Sequence, residues 1–319
     1  MRILFITANR LGDAVLSTGL LNALLTQFPK ARFTVACGPA AAGIFAAMPN
    51  LDRVIVMQKL PWARHWWELW KQVATTRWKL VIDLRGSGIG QFLLARRRRV
   101  FHGSGSRMHK VIVLSNVLKL REPAAPTIWI DEQHKKAAAE LWPKDGIPVL
   151  ALGPTANWGG KIWPGERFAE LAQRLTAPGG ILPGARIAVF GGPGEEALAA
   201  ATLAGLPAER RIDLVGKLDL LTISAALRRC ALYIGNDSGL MHLAAASGVP
   251  TLGLFGPSRE ETYGPWGEKT AAVRTDRSYE EIVKAPSFDH RKSDSLMLDL
   301  SVDKAQRAAE HLWRYAKDD

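Results

Sequence analysis

The sequence predicts an α/β protein built from two doubly wound domains, each around a parallel β-sheet. Short apolar segments typical of buried strands alternate with helical segments along the chain, and polar, often glycine-containing turns follow several of these strands. The alternation restarts after a Pro- and Gly-containing segment at 143–148. With 319 residues, of which 47% are hydrophobic, the chain can fill two cores. We therefore expect an N-terminal domain over 1–146 and a C-terminal domain over 147–319.

The individual elements follow from hydrophobic periodicity and from turn residues. The first half predicts strands at 2–7, 32–36, 53–57 and 80–84, and helices near 13–27, 39–47, 62–76, 109–120 and 131–142. The second half predicts strands at 149–152, 186–190, 213–215, 232–234 and 251–255, and helices at 164–176, 194–204, 221–229 and 240–247. A final amphipathic helix at 302–317 is a candidate to pack back on the first domain.

Basic residues exceed acidic ones, with 42 Lys and Arg against 30 Asp and Glu and a net charge of +12. This excess favours anionic partners such as nucleic acid, acidic lipid or a phosphorylated sugar, without choosing among them. The two cysteines, Cys37 and Cys230, lie in apolar, strand-like contexts, so neither a disulfide framework nor a zinc site is expected. The first strand turns polar before a signal-type apolar segment is complete, and no apolar run suits a membrane span, so we expect a cytoplasmic protein.

The segment 230–258 carries the most functional information. A polar turn joins an apolar strand to an Ala-rich helix, and the positive end of that helix favours an anion such as a diphosphate. Asp237 and Ser238 are placed to cap the helix, Gly239 allows close approach of a ligand, and His242 follows one turn later. The alternative is a simple helix cap with a buried histidine.

Three other strand-to-helix turns place polar groups in the same way. Asp13 follows the first strand and could act as a general base, or it could serve only the helix dipole. The glycine-containing loop 153–164 presents Thr155 and Lys161, which suit phosphate oxygens, although a solvated loop lysine is an equally simple reading. Glu195 and Glu196 begin a further helix and could accept hydrogen bonds from sugar hydroxyls or could favour the dipole alone.

The first domain also contains two unusual basic segments. In 61–71, Trp62, Trp66 and Trp70 recur every four residues beside basic side chains, and Arg96–Arg99 is a run of four arginines. Such segments suit anionic headgroups at a membrane interface, and the alternative is core tryptophans with solvated arginines.

Several common motifs are missing from the sequence. It has no Gly-x-Gly-x-x-Gly after the first strand, no Walker motif, no His-Glu-x-x-His, no Asp-x-Asp and no Gly-x-Ser-x-Gly. A bound diphosphate would therefore be met by helix ends and basic side chains, and no metal and no cofactor are expected.

Taken in order, several segments resemble glycosyltransferase family 9, whose best-known members are ADP-heptose:lipopolysaccharide heptosyltransferases. They are Leu11-Gly12-Asp13, Asp83-Leu84-Arg85-Gly86, Lys161-Ile162-Trp163-Pro164, the segment 235–245 with its Asp-Ser-Gly-x-x-His pattern, and Phe255-Gly256-Pro257-Ser258. The resemblance spans nearly the whole chain, and the Asp-Ser-Gly-x-x-His pattern is its most specific part.

The resemblance implies a GT-B fold and metal-independent, inverting transfer of a sugar from a nucleotide donor. It identifies Asp13 as the catalytic base. The residues it places in the donor site are Thr155, Lys161, Asp237, Ser238, Gly239, His242 and one of Glu195 and Glu196. On the acceptor side we expect Gly12, Arg64, Arg85 and Arg97, with the Arg96–Arg99 run binding either acceptor or membrane.

We therefore expect transfer of heptose from ADP-heptose to a lipopolysaccharide-core or related glycolipid, at the cytoplasmic face of the inner membrane and without a nucleic-acid partner. This requires Asp13 and the turn at Ser238 to face a shared gap. Two alternatives remain at this stage: a nucleotide-sugar epimerase or hydrolase on the same scaffold, and a non-catalytic module that binds an anionic membrane surface.

Overall fold

A computed structural model describes residues 1–103, 105–286, 288–291 and 294–318 of the chain. It divides into two compact units, Met1–Asp131 and Glu132–Asp319. The division lies earlier than the sequence-based boundary at 146 because helix α5 (Glu132–Ala139) packs on α8 (Leu220–Leu227) of the second unit. A contact between His134 Nε2 and Asp219 Oδ1 at 3.5 Å joins the same two helices.

The first unit is a five-stranded sheet of order β3-β2-β1-β4-β5 in which every described pair is parallel. Its strands are β1 (Arg2–Ile6), β2 (Arg32–Cys37), β3 (Leu51–Val56), β4 (Trp78–Asp83) and β5 (Ala95–Val100). Its α-helices are α1 (Leu11–Gln27), α2 (Pro39–Ala42), α3 (Arg64–Val73) and α4 (Lys110–Ser115), with short 3-10 turns at Gly43–Phe45, Pro61–Ala63, Ile89–Phe92 and Asn116–Leu118.

The second unit is a six-stranded sheet of order β11-β10-β9-β6-β7-β8, again with parallel pairs only among its described strands. Its strands are β6 (Val149–Gly153), β7 (Arg186–Val189), β8 (Arg211–Asp213), β9 (Leu232–Asn236), β10 (Thr251–Phe255) and β11 (Thr270–Arg274). Besides α5 and α8, its helices are α6 (Gly165–Thr176), α7 (Glu196–Ala204), α9 (Gly239–Ser247), α10 (Glu260–Tyr263), α11 (Tyr279–Val283) and α12 (Val302–Asp318), and a 3-10 turn spans Gly159–Lys161.

The central strands of the second sheet are fully buried, which explains their apolar sequences. Strands β6, β9 and β10 have no exposed residue, as expected for parallel strands covered by helices. The core of the second unit includes the apolar face of α12, with Ala305 and Ala309 fully buried. This helix packs on α6, β10 and β11. Its apolar stripe is therefore used within the second unit.

Two segments of the first unit differ from the sequence prediction. The arginine run is itself strand β5, which lies beside β4 at the end of the described sheet. Arg96 and Arg97 are exposed, whereas Arg98 is half-buried and donates hydrogen bonds to the carbonyl groups of Gly90 and Leu93. The expected helix at 62–76 begins at Arg64 instead, because Trp62 and Ala63 have left-handed backbone angles (φ 54° and 55°). Trp66 and Trp70 pack against the core, as the core alternative predicts, whereas Trp62 does not belong to their stripe.

Candidate functional site

The second sheet has its topological switch point between β6 and β9. From β6 the chain proceeds through β7 to β8 on one side, and then returns to β9 and continues through β10 to β11 on the other. Ligands of doubly wound sheets bind in the crevice beyond the carboxyl ends of strands at such a point. The loop after β6 and the turn after β9 therefore define the first place to look for a site.

An ion pair links these two segments. Lys161 Nζ lies 2.5 Å from Asp237 Oδ2, with the lysine side chain 24% exposed and the aspartate 6% exposed. The ammonium group has three N–H donors, so it can bind the carboxylate and still donate to phosphate oxygens. Lys161 was predicted to contact phosphate, and the structure adds that Asp237 fixes its position.

The turn at Ser238 forms the beginning of α9. Ser238 is the N-cap residue by backbone geometry, but neither its hydroxyl nor any other side chain of the described residues caps the helix. The expected capping by Asp237 and Ser238 is therefore wrong, because Asp237 is held by Lys161. Gly239 is the first helical residue, and His242 is buried one turn further on. The positive end of the helix dipole thus lies next to the Lys161 ammonium, and both attract an anion.

A second polar link joins the loops after β6 and β7. Thr155 Oγ1 donates a hydrogen bond to Glu195 Oε2 at 2.6 Å, and the Gly192 N–H donates to the same oxygen at 2.7 Å. Glu196, by contrast, is exposed and accepts a bond of 3.3 Å from the Gly194 N–H. Of the two glutamates, Glu195 is therefore the one beside Thr155.

The sequence analysis missed two buried residues that support this edge. The Asn236 amide accepts a hydrogen bond from the Trp163 N–H at 3.1 Å and donates one to Pro154 O at 2.8 Å, so it ties both ends of the loop after β6 to β9. The side chain of Tyr233 extends over Gly153 and Gly235, which are register partners on β6 and β9. Burial raises the pKa of the Tyr233 hydroxyl, which stays protonated. Two features of the sequence could have revealed Asn236 and Tyr233. They are the asparagine before the Asp-Ser pair and the glycine at each strand end.

In the first unit the switch point lies between β1 and β4. Gly12 and Asp13 are in the first turn of α1, directly after β1, and both are half-buried. Among the residues that the structure describes, the Asp13 carboxylate has no hydrogen bond or ion pair. A partly exposed, unengaged carboxylate at the carboxyl edge of a sheet can accept a proton from a ligand hydroxyl.

Arg85 lies beside the same switch point. Its Nη1 donates to Asn9 Oδ1 at 3.0 Å, and its guanidinium carbon lies 4.7 Å from the ring centre of Trp66 on α3. Burial lowers the pKa of Arg85, an effect opposed by the nearby Asp83 carboxylate, and the group remains a cation. The other two predicted acceptor residues occupy different positions. Arg64 is exposed at the first position of α3.

Arg97 lies away from this edge. It pairs with Leu80 in the middle of β4, and Val100 is the β5 residue that pairs with Asp83 at the end of β4. At about 3.3 Å per residue, Arg97 therefore lies about 10 Å below the carboxyl edge. The structure thus brings Gly12, Asp13 and Arg85 to one edge, and it does not bring Arg97 there.

The described residues contain no group of three or more His, Cys, Asp or Glu side chains that could hold a metal ion. No helix among them has both the length and the hydropathy required to cross a bilayer.

Fold and site together define a two-domain α/β protein whose second sheet presents a lysine and a helix N-terminus at its switch point, an arrangement suited to a phosphorylated ligand. The model of glycosyltransferase family 9 (heptosyltransferase) matches residues 107–292, more than half of the chain. The chain belongs to this family, and it is therefore a glycosyltransferase.

Individual relatives agree over most of the chain. It is 26% identical to lipooligosaccharide heptosyltransferase 2 of Haemophilus influenzae, over 86% of this chain and 88% of the relative. A family 9 glycosyltransferase from Veillonella parvula superposes with a TM-score of 0.80 at 24% identity, over 98% of this chain and 97% of the other. The E. coli heptosyltransferase WaaC with ADP superposes with a TM-score of 0.71 at 18% identity, over 98% and 100%. These findings confirm the predicted family and the fold class of two parallel-sheet α/β domains, the GT-B type.

Proposed function

We propose that this glycosyltransferase transfers heptose from ADP-heptose to the core of a lipopolysaccharide or a related glycolipid, with inversion at the anomeric carbon. Family membership and the heptosyltransferase relatives support the sugar. The similar heptosyltransferase whose structure contains ADP supports the nucleotide. The second unit would bind the donor and the first unit the acceptor.

The Lys161–Asp237 ion pair at the switch point carries the proposal. It lies between the loop after β6 and the N-terminus of α9, where an anionic diphosphate would meet the ammonium group and the positive end of the helix. These groups stabilise negative charge most when the glycosidic bond breaks and the diphosphate leaves. Thr155 and Glu195, hydrogen-bonded on the neighbouring strand ends, suit the hydroxyl groups of the donor.

The proposed reaction is a single displacement. The oxygen of an acceptor hydroxyl attacks the anomeric carbon and forms the new glycosidic bond, while the bond between that carbon and the diphosphate oxygen breaks. The proton of the hydroxyl passes to the Asp13 carboxylate, and the nucleoside diphosphate leaves with the electron pair. The mechanism requires Asp13 and the donor site to meet across a shared gap in the reacting complex.

On the acceptor side, Arg85 and Arg64 are suited to phosphate or carboxylate groups of the glycolipid core. Arg85 lies at the same sheet edge as Asp13, and its guanidinium is oriented by Asn9 and Trp66. A lipid-linked acceptor places the enzyme at the cytoplasmic face of the inner membrane, as a peripheral protein attracted by anionic lipid.

Product analysis with and without acceptor tests the proposal. The enzyme is incubated with ADP-heptose in EDTA, alone and with a heptose-free lipopolysaccharide core, and the products are resolved by mass spectrometry. We expect one heptose to be added to the core, and release of ADP only when the core is present. Conversion of the donor in the absence of core would instead indicate an epimerase or a hydrolase.

A matched pair of variants tests the donor site. Glu195→Gln removes the charge that accepts hydrogen bonds from Thr155 and Gly192, and we expect donor affinity to fall about tenfold because an interaction with a charged group is lost. Glu196→Gln makes the same chemical change one residue further along, on an exposed side chain, and should leave affinity unchanged. Equal effects of the two substitutions in a calorimetric titration would contradict this assignment.

A further inference from the structure

An exposed apolar surface lies along α3 in the first unit. It consists of Leu60, Trp62, Trp67, Phe92 and Leu94, hereafter the aromatic patch. Trp62 is 96% exposed and Phe92 76% exposed, whereas large aromatic side chains in soluble domains are mostly buried. Contiguous exposed apolar surface of this kind marks an interaction site.

Contacts connect three of these residues to α3. The Leu60 N–H donates a hydrogen bond to His65 Nδ1 at 3.4 Å, and Trp67 and Phe92 are joined through Trp70. Trp67 stacks on Trp70 with ring centres 4.8 Å apart, and Trp70 Nε1 donates a hydrogen bond to Phe92 O at 3.1 Å. Leu94 follows two residues after Phe92 and accepts a bond from the Trp78 N–H at 2.8 Å. The patch therefore extends from the turn before α3 to the loop before β5.

The part of the chain that contains the aromatic patch is strongly basic. Between Arg53 and Val100 the sequence contains eleven Lys and Arg residues and only two acidic ones, a net charge of +9 out of +12 for the whole chain. Of the two acids, Asp83 is fully buried and Glu68 pairs with Lys71 at 3.2 Å. The surface thus combines exposed indole, phenyl and isobutyl groups with unneutralised cations.

We propose that the aromatic patch and the basic residues of this part of the chain form a docking surface for an anionic lipid bilayer. Tryptophan prefers the headgroup region, apolar side chains enter the acyl boundary, and each Lys or Arg gains from the negative surface potential. Single-stranded nucleic acid also binds aromatic and basic side chains, but Leu60 and Leu94 offer no ring for a base to stack on.

This inference rests on the proposed function, because a lipid-linked acceptor gives the docking its purpose. Helix α3 lies next to both the aromatic patch and the proposed acceptor edge. Its first turn contains Arg64 and Trp66, and Trp66 contacts Arg85 at the edge that holds Asp13. Docking along α3 would therefore bring the acceptor edge of the first unit close to the membrane surface.

Co-sedimentation with vesicles tests the docking surface. The full chain is mixed with vesicles of phosphatidylcholine alone or of phosphatidylcholine with phosphatidylglycerol, at low and high salt. We expect binding to the mixed vesicles only, and a partition coefficient reduced about tenfold by Trp62→Ser with Phe92→Ser, because two inserting side chains are lost. Leu298→Ser with Tyr315→Ser, which removes similarly exposed apolar groups in the second unit, is the matched control and should bind as wild type.

Substitutions of basic residues test the electrostatic part of the docking in the same vesicle assay. Lys59→Gln with Arg77→Gln should weaken binding about fivefold per residue at low salt, since each cation near the surface contributes independently, and the difference should disappear at high salt. Lys136→Gln with Lys144→Gln on the second unit is the control. All of these residues are exposed, so thermal melting should match the wild type in each variant.

The outcomes separate docking from catalysis. Wild-type protein that stays in the supernatant with phosphatidylglycerol vesicles, or patch variants that sediment like the wild type, would overturn the inference. Binding of a single-stranded oligonucleotide that is lost in the patch variants would assign the surface to nucleic acid instead. Transfer to a lipid-free core oligosaccharide should be unchanged in the patch variants, and absence of that transfer in the wild type would refute the proposed function while leaving vesicle binding interpretable.

Discussion

The substitution Gly153→Ala tests how tightly the second sheet is packed at its switch point. Gly153 ends β6 opposite Gly235 on β9, and a Cβ added at Gly153 would lie 1.9 Å from the Tyr233 hydroxyl oxygen and 2.7 Å from its Cζ. Tyr233 is fully buried, so its ring has no solvent-filled space into which to move. Overpacking of a core lowers the free energy of unfolding by about 1–3 kcal/mol and sometimes more. Because this contact is so short, we expect a loss at the upper end of that range.

A loss of about 3 kcal/mol should lower the Tm of a domain of this size by about 6–12 °C. Differential scanning calorimetry measures the change on the full chain, and Gly179→Ala is the control because no atom lies within 4 Å of a Cβ added there. The double variant Gly153→Ala with Tyr233→Phe should recover part of the loss, since the nearest atom is removed while the ring remains. A single Gly153→Ala variant that melts within 1 or 2 °C of the wild type would refute the packing argument.

Three further predictions concern buried charge and buried thiols. Lys161→Met leaves the Asp237 carboxylate, 6% exposed, without its cation, so we expect about 2 kcal/mol less stability in urea unfolding and at least about tenfold weaker donor binding in calorimetry. Adding Asp237→Asn should restore the stability but not the affinity, and recovery of both would contradict the proposal that Lys161 binds the donor. Burial raises the pKa of Cys37 to about 12 from 9.0 and also raises that of Cys230. Because thiolates then form mainly in the unfolded chain, the free energy of unfolding should fall as the pH rises above 9. Ellman's reagent should detect neither thiol until denaturant is added. Rapid labelling of the native protein would contradict the burial of these thiols.

Much of the architecture follows from local sequence. Segments such as Val149–Gly153 are apolar at every position because parallel strands are covered on both faces, and polar turns after them mark the carboxyl edge. Lys161 and Asp237 could each be assigned to that edge in this way. Their ion pair could not be predicted, because it depends on which strands are neighbours, and the two residues are 76 positions apart.

The misread segments have physical explanations. Four consecutive arginines carry no alternating pattern, yet Arg96–Arg99 forms a strand because its neighbour β4 supplies the backbone hydrogen bonds and an edge tolerates charge. The spacing of Trp62, Trp66 and Trp70 suggests one helical face, but the left-handed backbone at Trp62 begins the helix later. A local backbone conformation therefore decides which of these aromatic side chains are exposed, and the spacing of the tryptophans in the sequence does not reveal that conformation.

The glutamates after β7 show a similar limit. Glu195 and Glu196 are equivalent in the sequence, since both lie at the start of a helix. In the structure the helix begins between them: Glu195 is the N-cap residue, with a non-helical backbone, and Glu196 is the first residue of α7. Their side chains therefore leave the backbone in different directions, and only Glu195 meets Thr155.

The measurement that tests the central claim most directly is single-turnover transfer by Asp13→Asn, with donor affinity determined in parallel. This substitution keeps the volume of the side chain and removes the proton acceptor. Loss of general-base catalysis should slow transfer by about 10²–10⁴-fold while the dissociation constant for ADP-heptose stays within about twofold of the wild type. Transfer at a rate within tenfold of the wild type would contradict the role of Asp13, and with it the account of how the two units share the reaction.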